Sequence, residues 1–288
     1  MNLSEEVGHV ITQNTQDLYF LLKFVEDIEA YIEQRRSPSN MLDDIPKDIR
    51  PEFVRYLMDF SNFLGDVRKD ITAEKEKKTK AKMSWIFKPS KTYPEQVHDF
   101  FIPFIRKSMG PIMYPHYLYD MTLTHAIAIL EAFLHDFLAA IFTQRSKTLK
   151  SEHTASYKEI LSFPSMRALT DYLADTRVEK ILSEDIDKVA GKLQELFSID
   201  IARFHDFNVI REAFYRRHVV VHNKGITDKK YCEKIPNSQV DVKLSTNYKY
   251  LATLFAAIAQ FIDYLDEHFS RKMRYKRAPG ANFLLTNP

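Results

Sequence analysis

Cysteine occurs once in 288 residues, as Cys232. A lone cysteine excludes an intrachain disulfide and a multi-cysteine zinc site, and it points to a reducing compartment, so a cytoplasmic location is expected. Glycine is nearly as scarce, with six residues and no cluster. Phosphate-cradling loops of the GxxxxGKS/T or GxGxxG kind need grouped glycines, so ATP-loop and dinucleotide chemistry are disfavoured and no cofactor is expected. Neither sign of charge dominates, with 41 Lys and Arg against 39 Asp and Glu. The whole molecule is therefore no polybasic nucleic-acid binder, and any such contact has to come from a local patch. The start, Met-Asn-Leu-Ser-Glu-Glu, lacks the basic and apolar regions of a signal peptide, and no export is expected. The most apolar run, 121–142, is interrupted by His125, Glu131, His135 and Asp136, which sets it short of a membrane span.

What the chain does have is 45% hydrophobic residues, enough for one large core or two smaller ones, laid out with helical period. Leu18, Leu21, Val25, Ile28 and Ile32 recur at steps of three and four, and Phe53, Leu57, Phe60, Leu64 and Val67 repeat the pattern. The turn chemistry of Ser37-Pro-Ser-Asn, Pro46 and Pro51 separates them, which predicts an amino-terminal helical hairpin over 8–35 and 51–72. Residues 68–92 then carry nine Lys or Arg against three acids. That segment reads either as a solvated linker or as an RNA-contacting arm with Trp85 available for stacking. Prolines 89, 94, 103, 111 and 115 predict an irregular approach to a second helical unit.

In that unit, helical spacing runs through Leu123, Ile127, Leu130, Phe133, Phe137 and Ile141. It continues on Leu161 to Leu173, on Val189 to Phe197, on Phe207 to Val221 and on a last helix near 246–269. Val219 to Val221 and Val240 to Leu244 are too short and isolated to be strands in such surroundings. The expected fold is all-α: residues 1–92 form the hairpin with its basic linker, 93–277 a helical domain, and 278–288 a carboxy-terminal tail.

The richest chemistry lies in Arg216-Arg-His-Val-Val-Val-His-Asn-Lys-Gly. At 100° per residue His218 and His222 share a face of a helix, Arg217 lies beside them, and Val219 to Val221 are expected to fill the buried face. Gly225 suits a positive-φ stop. A permanent guanidinium and two imidazoles are tools for phosphodiester cleavage: an imidazole moves a proton, and an arginine holds charge developing on phosphate oxygens. The His218/His222 spacing is also an HxxxH zinc spacing. The glutamate of an HExxH protease is absent, Val219 standing in its place, and a third ligand would have to come from His205 or Asp206, so no metal is expected.

Arg217-His218-Val219-Val220-Val221-His222 resembles the Arg-polar-x-x-x-His motif of HEPN domains (higher eukaryotes and prokaryotes nucleotide-binding), and Asn223-Lys-Gly is similar to what often trails it. The helix from His125 through Leu138 resembles the opening helix of that family, which commonly carries an acid facing the site, here Glu131. The resemblance covers roughly residues 116–275. It implies a HEPN-like helical bundle and a metal-independent endoribonuclease working on RNA as a homodimer. The motifs of two protomers would form one cleft, and the products would carry a 2′,3′-cyclic phosphate. By resemblance, Arg217 would stabilise the phosphorane, His222 would be the acid/base, and His218 would be either a catalytic partner or an orienting donor. Glu131 would make a plain surface ion pair or orient Arg217 or a histidine, and Asn223 would support the site. Arg216 and Lys224 are candidate RNA contacts.

The resemblance also implies a toxin-like or antiviral-defence role, with an antitoxin or sensor protein as a further partner. The competing expectation is a non-catalytic helical module that binds RNA, nucleotide or a partner protein. Cys232 has no evident base partner and reads as incidental. The tail Arg271-Lys-Met-Arg-Tyr-Lys-Arg277 reads as a solvated helix end favoured by the dipole, or as an RNA-backbone contact.

Overall fold

A computed structural model describes residues 2–35, 45–77, 87–145 and 156–277. Most of these are helical, and among the described residues no strand forms, only one isolated bridge between Ile226 and Lys243. The order is α1 (Leu3–Arg35), α2 (Arg50–Lys77), α3 (Glu95–Gln144), α4 (Tyr157–Leu161), α5 (Met166–Leu182) and α6 (Ile186–Phe197). A 3-10 turn (Ile201–Arg203) leads into α7 (Phe207–Asn223), α8 (Lys229–Lys234) and α9 (Tyr248–Met273). Side-chain caps start α5, α6, α8 and α9: Ser165, Asp185, Asp228 and Asn247 each accept from the backbone N–H three residues on. The Ser37-Pro-Ser-Asn turn, Trp85 and the tail 278–288 lie outside the described residues.

The chain divides into two compact units, 1–28 with 116–288, and 29–115. The boundary expected at residue 92, with the whole of α1 in an amino-terminal hairpin, is not the one observed. The stripe Leu3, Val7, Ile11, Leu18 and Val25 on α1 is buried in the same core as Phe133 and Phe137 of α3 and Phe255, Phe261 and Phe269 of α9. A three-four stripe specifies that a helix must bury one face and leaves the partner open, which is why α1 could be assigned to the wrong neighbour.

In the larger unit α3 and α9 form the centre. Phe137 meets Phe269 edge-on at 5.1 Å and Phe142 meets Phe197 at 5.4 Å. By length and composition Pro115–Gln144 is apolar enough to cross a membrane, contrary to the reading of its four polar residues, and most of it is buried inside the bundle as a core helix. The carboxy-terminal segment departs from a solvated helix end. After Arg274 turns left-handed (φ 55°), the Tyr275 hydroxyl donates to Asp266 at 2.8 Å and Arg277 reaches Asp263 at 2.7 Å. Burial of Asp266, almost fully enclosed, pushes its carboxyl above the usual range, so the two partners compensate a desolvated acid.

The smaller unit has its own aromatic core of Phe53, Tyr56, Tyr93 and Phe101 on Ile45, Ile49 and Val97. Phe53 meets Phe104 at 4.9 Å, and Asp59 accepts from Ser90 N (2.8 Å), Ser90 Oγ (2.6 Å) and Tyr93 Oη (3.0 Å), tying 90–93 to α2. The irregular approach expected from the prolines is confined to the residues around Pro89 and Pro94. Helix α3 begins at Glu95 and continues through Pro103, Pro111 and Pro115. Proline's fixed φ is itself helical, and each one removes a single N–H bond from a helix of 50 residues.

Candidate functional site

Helix α7 carries the motif. It ends where the backbone turns left-handed at Lys224 (φ 52°) and Gly225 (φ 76°), with Gly225 N donating to Val219 O at 3.0 Å. The positive φ favours glycine at 225; a Cβ there would stand 2.8 Å from Lys243 Nζ, the end of a flexible side chain that can move aside. The chain then folds back on itself. Thr227 N bonds Val242 O at 2.9 Å, Leu244 N bonds Gly225 O at 2.8 Å, and the Lys243 ammonium caps the Lys224 carbonyl at the negative end of α7. Asn223 spends its amide on the Ile226 carbonyl, so it supports this return. The Lys224 side chain is exposed beside it.

Only one of the three valines fills the core. Val219 is buried, Val220 is half-buried, and Val221 is 52% exposed. Three consecutive residues span 200° of a helix and cannot share one face, which corrects the expectation for Val219 to Val221.

The same rotation separates the two arginines. Arg216, expected at the RNA surface, is instead enclosed, with its side chain 13% exposed. Its Nε donates to Glu212 Oε1 at 2.8 Å, its Nη1 donates to Ser245 O at 3.1 Å, and its guanidinium lies 4.2 Å from the Tyr250 ring centroid. Tyr231 and Tyr250 both donate to Glu212 at 2.6 Å. Burial, with the Glu212 carboxylate beside them, pushes both phenols up, which keeps them protonated as donors. This network joins α7 to α8 and α9 and fixes the rotation of α7 about its axis. The Glu212-x-x-x-Arg216 spacing was a readable signal for it. The two tyrosines, distant in sequence, carried none.

Arg217 and the histidines face outward. Arg217 Nη1 lies 3.4 Å from Glu131 Oε1 on α3, longer than a tight charge-assisted bond. Its Nε is shielded from solvent and, among the described residues, has no hydrogen-bond partner. The structure thus brings together Glu131 and Arg217, 86 residues apart in sequence. His218 and His222 are both exposed, their ring centroids 4.7 Å apart and tilted by 49°. Desolvation against the bundle, then the charges of Lys230 and His222, push the His218 imidazole below its ordinary range, which favours its neutral form. His205, weighed as a third metal ligand, sits just ahead of the other end of α7 and bonds Gln260 at 2.9 Å and Asp206 at 3.1 Å. Among the described residues no group of three His, Cys, Asp or Glu side chains could hold a metal.

The arrangement is two exposed imidazoles on one face of α7 with a half-exposed guanidinium at its side. Such a face can bind a phosphate and move protons at its oxygens. Compared with protein-family models, with curated proteins and with solved structures, the chain matches none.

Proposed function

We propose that the protein is a metal-independent endoribonuclease of HEPN type, acting as a homodimer in the cytoplasm in a toxin-like or antiviral-defence setting, with an antitoxin or sensor protein controlling it. The observation that carries this reading is the pair of exposed imidazoles, His218 and His222, on one face of α7, with the half-exposed Arg217 at the side of that face against Glu131 of α3. In the proposed reaction the 2′-hydroxyl of RNA attacks the adjacent phosphorus, forming the P–O2′ bond and breaking the P–O5′ bond. His222 handles the proton transfer at the attacking or leaving oxygen, and Arg217 holds the charge on the phosphorane oxygens. The products are a 2′,3′-cyclic phosphate and a free 5′-hydroxyl. His218 serves the same face as donor or second imidazole, and Lys224, exposed at the helix end, contacts the RNA backbone.

The test is cleavage of total RNA in excess EDTA by the wild type beside Arg217→Ala and His222→Ala. Loss of a general acid/base lowers such rates by about 10²–10⁴. EDTA-resistant cleavage that disappears in both variants is the expected result. RNA left intact by the wild type would sink the enzymatic reading in favour of a binding module.

A further inference from the structure

His218 and His222 stand one turn apart on the solvent side of α7, with ring centroids 4.7 Å apart. Among the described residues neither ring makes a hydrogen bond, so their ring nitrogens are available as ligands. Zinc binds imidazole nitrogen at about 2.0–2.1 Å, so two ligands on a tetrahedral centre hold their nitrogens about 3.3 Å apart. Exposed rings at this centroid separation reach that geometry by changing rotamer within one helical turn, with no movement of the backbone.

We propose that His218 and His222 form an exposed two-imidazole site for a late first-row transition-metal ion such as zinc, which engages both rings and so opposes RNA cleavage. The inhibitory half of this inference rests on the ribonuclease reading; the binding half does not. No third protein ligand completes the set among the described residues, so water fills the remaining positions and the ion exchanges. That distinguishes an occupant from a resident structural or catalytic zinc, which takes three or four protein ligands. Lys230 and, less strongly, Arg217 bear on His218 as cations; Asp228 opposes them in part, and Arg217 has Glu131 at 3.4 Å. Magnesium and calcium prefer oxygen ligands and are not held here.

The test is calorimetric titration of zinc into the full chain, with any affinity tag removed, for the wild type, His218→Ala, His222→Ala and His9→Gln. Expected is one zinc per chain with a micromolar Kd, at least tenfold weaker in each of the first two variants and unchanged in the third. Circular dichroism verifies that the variants are folded, and His218→Gln replaces any that is not. Absence of binding at micromolar zinc, or equal affinity in the wild type and His218→Ala, overturns the site. In the RNA assay, cleavage blocked by zinc and restored by EDTA supports the inhibitory role, and cleavage that persists at saturating zinc overturns it. If the chain cuts no RNA at all, the titration still decides the site, and the ribonuclease reading alone fails.

Discussion

Arg216 and Arg217 are neighbours in sequence and live in opposite environments. Arg216 is packed over Tyr250 and paired with Glu212, while Arg217 has its outer nitrogens at the surface near Glu131. Truncating one member of an enclosed charge pair leaves the other uncompensated and costs about 3–5 kcal/mol. Breaking a half-exposed pair costs about 0–1 kcal/mol. Arg216→Ala is therefore expected to lower the urea midpoint sharply, and Arg217→Ala to leave it nearly unchanged while abolishing RNA cleavage. Equal destabilisation by both would contradict the placement of the two side chains.

Helix α7 is held along its inner side by two polar clamps. The second clamp centres on Asp187 of α6, whose carboxylate accepts from Arg211 Nε at 2.5 Å, Tyr215 Oη at 3.0 Å and Lys234 Nζ at 3.1 Å, joining α6, α7 and α8. The Arg211 bond above all, and those of Lys234 and Tyr215, lower the Asp187 carboxyl from 3.8 to about 2. A depressed carboxyl stabilises the fold wherever both states are ionised, by roughly 2 kcal/mol here. That contribution is complete above about pH 5 and drains away between about pH 4 and 2, as the unfolded chain takes up its proton first. Asp187→Asn is expected to be less stable than the wild type at pH 7, with a gap that closes towards pH 2. Urea melts of both proteins across that range measure it, and a gap independent of pH would rule out the carboxylate as its source.

At the scale of the molecule, the division into 1–28 with 116–288 and 29–115 makes α1 part of the core that carries the site. A chain truncated to begin at residue 93 would keep the whole motif and lose Leu3, Val7, Ile11, Leu18 and Val25. Each buried aliphatic side chain contributes about 1.5–3 kcal/mol, so the loss of five is comparable to the whole net stability of an ordinary domain. Such a truncation is expected to be expressed aggregated or without a cooperative melt, and mixing it with a peptide of residues 1–28 should restore some structure. A well-folded truncation with a sharp thermal transition would show that α1 is dispensable.

The sequence by itself determined the all-α class, the positions of most helices and the stop at Gly225. These follow from local causes: the period of apolar residues, the capping side chains and the one residue type that tolerates φ 76°. It also marked Glu131, Arg217, His218 and His222 as one group, through a family resemblance whose residues lie far apart along the chain. Tertiary structure alone decided three things. Helix α1 joined the bundle around α3 and α9 because a stripe does not name its partner. Arg216 went inward because Glu212 on its own helix and the Tyr250 ring of α9 receive it, with Tyr231 of α8 and Tyr250 bonded to the same carboxylate. Val221 came to face solvent, beside the histidines that the sequence already placed outward, because those same contacts set the rotation of α7.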